Sequence, residues 1–478
     1  FLKTGTPMKT ITLYDATLRE GSQAEDISFS LEDKLRITVK LDNLGVHYIE
    51  GGWPGANPKD IRYFKEIQSY SLKHSTVVAF GSTARHRKPV AKDKTLQALL
   101  QAGTSTITIF GKVWDVHVRD VLKITPEENL KLIEESIAFL KQQGKEIFFD
   151  AEHFFDGYKA NPEYAMACVQ AAVDAGARWV VLCDTNGGTL PFEIETIVAT
   201  VCESVPGDKL GIHCHDDTGN AVANSLSAVR AGARMVQGTI NGLGERCGNA
   251  NLVSVIPTLM LKMGYTTGID AEGLKHLRPL SAMLDERLNR APDRHRPYVG
   301  DAAFAHKGGL HVSAVEKDPR CYEHVDPASV GNHRHILVSD QAGRSNLLAR
   351  FREIGLDVAP DDKRLGTLLE TVKRNEMQGY AYDGAEASFE LLARRTLGGL
   401  PGYFQCASFR VLNERRWNDA GEVVTLSEAT VKLAVKEGPT GERLDMAVAE
   451  GNGPVNALDA ALRKVLLPLY PSSGDLRL

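Results

Sequence analysis

Between Thr10 and about Gly264 the chain alternates short apolar runs with longer stretches in which apolar residues recur every three or four positions. Eight runs read as strands: ITLYDAT from Ile11, YIEGGW from Tyr48, STVVAFG from Ser75, STITIFG from Ser105, EIFFDAEHF from Glu146, WVVLCDTNG from Trp179, KLGIHCH from Lys209 and MVQGTING from Met235. The segments between them read as helices. In NPEYAMACVQAAVDAG, Tyr164, Cys168, Ala171, Ala172 and Ala175 fall on one face. Asn161 can cap its start, Pro162 suits the first helical position, and Gly176 suits the left-handed residue that ends it. Gly45, Gly103, Gly144 and Gly232 stop other helices before the next strand. Eight strand-helix repeats in roughly 250 residues fit a (β/α)₈ TIM barrel. Its expected extent is residues 8–280, and an open doubly wound sheet is the alternative architecture.

In a barrel, chemistry belongs at the carboxyl ends of the strands, and polar residues collect there. The first strand ends near Asp15 and leads into Arg19 and Glu20, the second ends with Glu50, the fifth with Asp150 and Glu152, and the sixth with Asp184, Thr185 and Asn186. His213 and His215 end the seventh, and the eighth leads into Asn241 and GLGERCGN. Beyond Gly264 a charged, Arg- and His-rich stretch and further helical patterns predict helical linking subdomains over residues 281–396. LGGLPGY (Leu397–Tyr403) then punctuates the chain, and FQCASFRVL, EVVTLSEATVKLAV and NALDAALRKVLLPL predict a small α+β domain over residues 397–478.

The length of 478 residues suits two to four domains. A net charge of −5, from 56 basic and 61 acidic residues, gives no bias toward polyanions, so small molecules are better partners than nucleic acid. Seven cysteines lie scattered with no Cys-x-x-Cys pair, which reads as a reducing cytoplasm. No apolar stretch reaches the roughly 18 residues that span a bilayer, and no signal-peptide pattern opens the chain. A soluble cytoplasmic protein is expected. The chain opens at Phe1 and its first methionine is Met8, so FLKTGTP reads as an appended segment.

His213-Cys214-His215 is the most informative chemistry. On a strand alternate side chains share a face, so both imidazoles point the same way, a metal-ligand geometry. Two histidines on one strand are about as often core or surface groups, so context must decide. Glu20, in Arg19-Glu20-Gly21-Ser22-Gln23, completes an O,N,N set with open positions for substrate, suited to Mg²⁺, Mn²⁺ or Zn²⁺. The GLGERCGNAN loop holds Gly242, Gly244 and Gly248 and must bend tightly; its Asn249 either offers a carbonyl oxygen to the same ion or belongs to a structural turn. Glu152 suits an acid/base or a plain rim carboxylate, Thr185 a substrate-carboxylate contact or a helix cap, and Asp216 and Asp217 helix caps. HKGGLH (His306 to His311), with Tyr322 downstream, could supply an acid/base from a lid or a partner subunit. No G-x-G-x-x-G or Walker pattern supports a nucleotide fold.

With these residues assembled, the chain resembles the metal-dependent acyl-CoA carboxylate synthases, the family of 2-isopropylmalate, homocitrate and citramalate synthases. TLREGSQ from Thr17 is similar to the family's first signature and GLGERCGNANL to its second, and the resemblance runs over essentially the whole chain. YDATLREGSQAEDISFSLEDKLRI and YIEGGWPGANPKD look most like the bacterial citramalate branch, which condenses acetyl-CoA with pyruvate on the threonine-independent route to isoleucine. The isopropylmalate branch is the near alternative, and a metal-dependent carbon-carbon lyase a more distant one.

The resemblance implies metal binding by Glu20, His213 and His215, with Asn249 as a fourth ligand or an outer group. It implies that Arg19 contacts the keto oxygen, Thr185 the 2-oxoacid carboxylate, and Glu152, His311 and Tyr322 the proton transfers, with the enolising base either Glu152 or His311. Acetyl-CoA as co-substrate, a homodimer whose linking subdomains reach the partner's barrel, and isoleucine as effector are further implications. Two departures stand out. The family more often has Asp where this chain, like homocitrate synthases, has Glu20, and the C-terminal domain ends at YPSSGDLRL, near where a second half of the regulatory fold is expected.

Overall fold

The computed structural model describes residues 10–476, apart from 56, 87, 340 and 438–440, and divides the chain into two compact units with the boundary between Leu337 and Val338. The opening FLKTGTP lies outside the described residues. In the first unit eight strands close into a parallel barrel: β1 (Thr12–Asp15), β2 (Tyr48–Gly52), β3 (Thr76–Ser82), β4 (Thr106–Lys112), β5 (Glu146–Glu152), β6 (Trp179–Asp184), β7 (Leu210–Cys214) and β8 (Met235–Gly238). Each expected run supplies one strand. The order around the barrel is the order in sequence, and Thr12–Asp15 pairing in register with Met235–Gly238 closes it, so the open sheet is excluded.

A helix follows every strand: Leu31–Leu44, Pro58–Ile67, Lys94–Gln101, Pro126–Gln142, Pro162–Asp174, Pro191–Ser204, Ala221–Ala231 and Leu252–Leu261. The sequence sets their ends. Proline, which lacks an N–H, opens the helices at Pro58, Pro126, Pro162 and Pro191, where that donor would go unused. Ser30 and Asp33 cap the first helix reciprocally, and Asn161 Oδ1 accepts from the Tyr164 N–H at 3.1 Å. Gly45 at φ 98° ends the first helix in the left-handed region, as its position before β2 predicted.

The barrel interior is filled by Tyr14, Val78, Phe148, Trp179, Val181 and Met235, while a larger apolar layer seals strands to helices. Each fully buried aliphatic or aromatic side chain contributes about 1.5–3 kcal/mol, so this double layer makes the rim a firm support. After the barrel come the helix Leu277–Arg287, a two-strand parallel pair β9 (Ala305–His306) and β10 (His335–Ile336), and the helix Gly309–Lys317.

The second unit contains the helices Arg344–Glu353, Arg364–Met377 and Glu386–Thr396 around Leu347, Phe351, Leu368 and Phe389. It also holds an antiparallel sheet, β11 (Phe404–Trp417), β12 (Val423–Glu437) and β13 (Gly441–Gly451), followed by the helix Pro454–Leu466. Val431 and Leu433 of β12 pack on Ala457, Ala461 and Val465 of that helix. The sequence pattern pointed to two of these strands; the third, β13, turns the small Ala449 inward and Leu444, Met446 and Val448 outward, which hides its polarity. Among the described residues no helix is long and apolar enough to cross a membrane.

Candidate active site and metal centre

Glu20, His213 and His215 converge at the carboxyl ends of β1 and β7. They are buried, and one ligand atom from each lies within 4.8 Å of the others. Ligands about 2.0–2.2 Å from a shared ion fall inside that spread, so the donor set fits a divalent cation. His215 Nε2 lies 3.6 Å from Glu20 Oε1. His213 Nδ1 is 2.9 Å from Gln237 Oε1, which leaves Nε2 for coordination. Burial lowers the pKa of His213, and burial with the neighbouring His213 lowers His215 to about 4, so both rings are the neutral species a metal requires. Burial works against the Glu20 charge, but Arg19 and the two histidines outweigh it and lower its pKa.

Asn249 stands beside this group. Its backbone pairs with His215, and its buried Oδ1 accepts no hydrogen bond among the described residues, as a carbonyl oxygen facing a cation would. The loop that carries it depends on glycine. Gly248 has φ 97°, and a Cβ there would sit 2.0 Å from the Gly242 carbonyl oxygen; a Cβ on Gly244 would strike the Asn249 amide. Arg246 then pins the loop, donating to both Asp217 oxygens at 2.7 and 2.9 Å and to the Thr185 carbonyl at 2.7 Å. Asp217, expected as a helix cap, is thus an ion-pair partner of the loop that carries Asn249. Asp216 does serve the next helix, accepting from the Ala221 N–H at 2.8 Å.

Arg19 lies between two carboxylates, Glu20 and Glu50, with its guanidinium carbon 3.7 Å above the Phe80 ring. Burial alone would weaken its charge, but the paired carboxylates raise its pKa further. Glu50 is fully buried and accepts from the Tyr14 hydroxyl at 2.5 Å, while Tyr14 also bonds Thr108 at 2.9 Å. Sequence reasoning placed Glu50 at the rim without a role. Its signal was a carboxylate inside an otherwise apolar strand, which a buried partner must answer.

A cavity of about 200 Å³ opens over this floor, lined by Arg19, Glu20, Glu152, Thr185, His213 and His215 together with the aromatic side chains of Trp53, Phe80 and Phe110. The rings touch edge-on and stacked, with centroids 5.6–5.8 Å apart. Lys34 and Asp60 fix the Trp53 loop: Lys34 donates to Asp60 and to the Gly51 carbonyl, and Asp60 accepts from the Trp53 N–H at 2.9 Å. Glu152 pairs with Lys112 at 2.5 Å from the neighbouring strand. Thr185 does not cap the helix that follows β6; its hydroxyl accepts from the His153 N–H at 2.9 Å. The structure therefore brings six of the expected site residues to one cavity and Asn249 beside it. His311 and Tyr322 stack on each other with centroids 4.1 Å apart on the exposed surface of their own chain and do not line this cavity.

Comparison with known proteins matches residues 10–280 to the HMGL-like family, 298–379 to the homocitrate synthase post-HMGL domain-like family, and 383–468 to the LeuA allosteric (dimerisation) domain. The (R)-citramalate synthase of Geobacter sulfurreducens is 51% identical over 98% of this chain and 87% of its own length. The 2-isopropylmalate synthase of Lactococcus lactis is 31% identical over 96% of this chain and 84% of its own. Among solved structures, hydroxymethylglutaryl-CoA lyase from Pseudomonas aeruginosa superposes with a TM-score of 0.51 at 20% identity, covering 60% of this chain and 95% of that one, a likeness of fold.

Proposed function

The chain belongs to the HMGL-like family, on its (R)-citramalate synthase branch, and we propose that it condenses acetyl-CoA with pyruvate to give citramalate and free CoA. The observation that carries this reading is the buried Glu20-His213-His215 group on the floor of a cavity walled by Trp53, Phe80 and Phe110. Those three rings give the cavity an apolar wall for the side chain of a 2-oxoacid, and the match to (R)-citramalate synthases favours pyruvate.

Glu20, His213 and His215, with Asn249 Oδ1 alongside, would hold a divalent ion (Mg²⁺, Mn²⁺ or Zn²⁺), which when bound would supply Lewis-acid polarisation of the 2-oxoacid carbonyl. The chain's own groups do the rest. Thr185 holds the 2-oxoacid carboxylate, and Arg19, anchored by Glu50, meets the alkoxide that develops as the new carbon-carbon bond forms. We assign the acetyl methyl proton to Glu152, which lines the cavity, in preference to His311, which does not. The enolate carbon then attacks the keto carbon, and water cleaves the thioester, which makes the condensation irreversible. His311 and Tyr322, exposed on their own chain, are free to serve the barrel of a second copy as further proton-transfer groups.

The match to the LeuA domain supports a homodimer under effector control, with isoleucine as the effector this reading expects. Leu412, Leu444, Met446 and Val448, exposed on the sheet face away from the Pro454–Leu466 helix, are an apolar surface suited to such pairing. Seven free cysteines support a reducing, cytoplasmic location. The test is release of CoA thiol from acetyl-CoA and pyruvate by the purified protein, before and after chelation and metal return. Thiol release that chelation abolishes and metal restores is expected; no release with pyruvate under any metal overturns the reading.

A further inference from the structure

Gln237 touches the Glu20-His213-His215 group without belonging to it. It lies on β8 directly beside His213 of β7 in register and is fully buried. Its side-chain oxygen lies 2.9 Å from His213 Nδ1, and its amide nitrogen donates to Asp150 Oδ1 at 3.1 Å, across the barrel on β5. A buried amide in an apolar strand must satisfy both ends, and here each end has one partner of fixed position.

The orientation of that amide decides whether His213 can bind a metal. A neutral imidazole carries one proton, and the nitrogen that coordinates an ion cannot hold it. With Oε1 toward His213, the proton sits on Nδ1 and Nε2 is open. Turned the other way, the amide N–H groups would face Nδ1, drive the proton to Nε2 and close the ligand position. Asp150 favours the first, because its Oδ1 accepts the amide N–H at 3.1 Å.

We propose that Gln237, latched by Asp150, is the positioning residue that holds His213 in its metal-binding tautomer. The inference rests on the reading that Glu20, His213 and His215 bind a divalent ion. Outer partners of this kind are worth about 10–100-fold in metal affinity. Gln237→Met removes both ends of the latch at similar volume, Gln237→Glu keeps an acceptor for Nδ1–H, and Asp150→Val removes the selector alone.

The experiment is Mn²⁺ binding to the metal-free full chain and its variants by calorimetry, with the melting of each metal-free protein recorded alongside. Gln237→Met is expected to raise the Kd about 10–100-fold while still melting cooperatively, Gln237→Glu to restore it to within about threefold, and Asp150→Val to raise it about tenfold. If Gln237→Met does not fold, Asp150→Val carries the same test. A folded Gln237→Met or Asp150→Val that binds Mn²⁺ within about twofold of the unaltered chain overturns the inference. A Gln237→Glu variant as weak as Gln237→Met does so too, because a restored acceptor should restore the tautomer. Failure of the unaltered chain to bind Mn²⁺ overturns the metal reading and this inference with it, and is distinguishable because the loss precedes any substitution.

Discussion

Glu50→Gln isolates what a buried carboxylate does for Arg19. The substitution keeps the shape and the hydrogen bonds: the amide oxygen can accept from Arg19 Nε, and the amide nitrogen can donate to Tyr14, whose hydroxyl then donates to Thr108. Only the charge is lost. Breaking a buried ion pair costs about 3–5 kcal/mol when the remaining charge has no other partner. Arg19 keeps Glu20, so the expected loss is smaller, about 2 kcal/mol in unfolding free energy. The same change pulls Arg19 toward Glu20, a proposed metal ligand, and away from the alkoxide. Losing one donor at such a site costs about 10²–10³ in kcat; displacing it should cost about 10–100-fold, with little change in KM because the charge it meets appears only during reaction. Urea unfolding and steady-state thiol release measure the two effects. A variant that unfolds within about 0.5 kcal/mol of the unaltered protein and keeps kcat within about threefold would refute the reasoning.

Three further outcomes follow from the same geometry. Phe110→Ala opens the aromatic wall and should raise kcat/KM for 2-oxobutyrate relative to pyruvate by about tenfold, since one methylene in such a pocket is worth about 1–3 kcal/mol; an unchanged ratio would remove Phe110 from the specificity wall. Gly248→Ala places a Cβ against the Gly242 carbonyl at a left-handed φ, so it should cost about 1–3 kcal/mol of local strain and weaken metal affinity, read by calorimetry. Asp42 accepts from the Lys73, His74 and Ser75 N–H groups, which outweigh burial and lower its pKa. Its folded value lies below its unfolded one, so its stabilisation is present above about pH 4 and fades as pH falls through the folded value; the urea-midpoint gap between the unaltered chain and Asp42→Asn should shrink on acidification.

The barrel was legible because parallel strands buried on both faces are written as continuous apolar runs, and glycine and proline mark the helices between them. The convergence of Glu20, His213 and His215 was legible because the two histidines share one strand and Glu20 follows another, so strand periodicity and rim position located all three. Their supports were not. Gln237 meets Asp150 across 87 residues of sequence and Tyr14 meets Glu50 across 36, contacts that only closure of the barrel creates. Asp217 read as a cap because local spacing cannot reveal Arg246, which arrives from the β8 loop. The aromatic wall was hidden for the same reason: Trp53 comes from the loop after β2, Phe80 from β3 and Phe110 from β4, and in isolation they look like ordinary core.

The central claim is that this cavity joins an acetyl unit to pyruvate. It is tested most directly by kcat/KM for thiol release from acetyl-CoA with pyruvate, 2-oxobutyrate, 2-oxoisovalerate and 2-oxoglutarate in parallel, using metal-loaded protein and identifying each product. The account predicts pyruvate first, 2-oxobutyrate behind it by about tenfold or more, and the two larger acids near background. A preference for 2-oxoisovalerate or 2-oxoglutarate over pyruvate would contradict it.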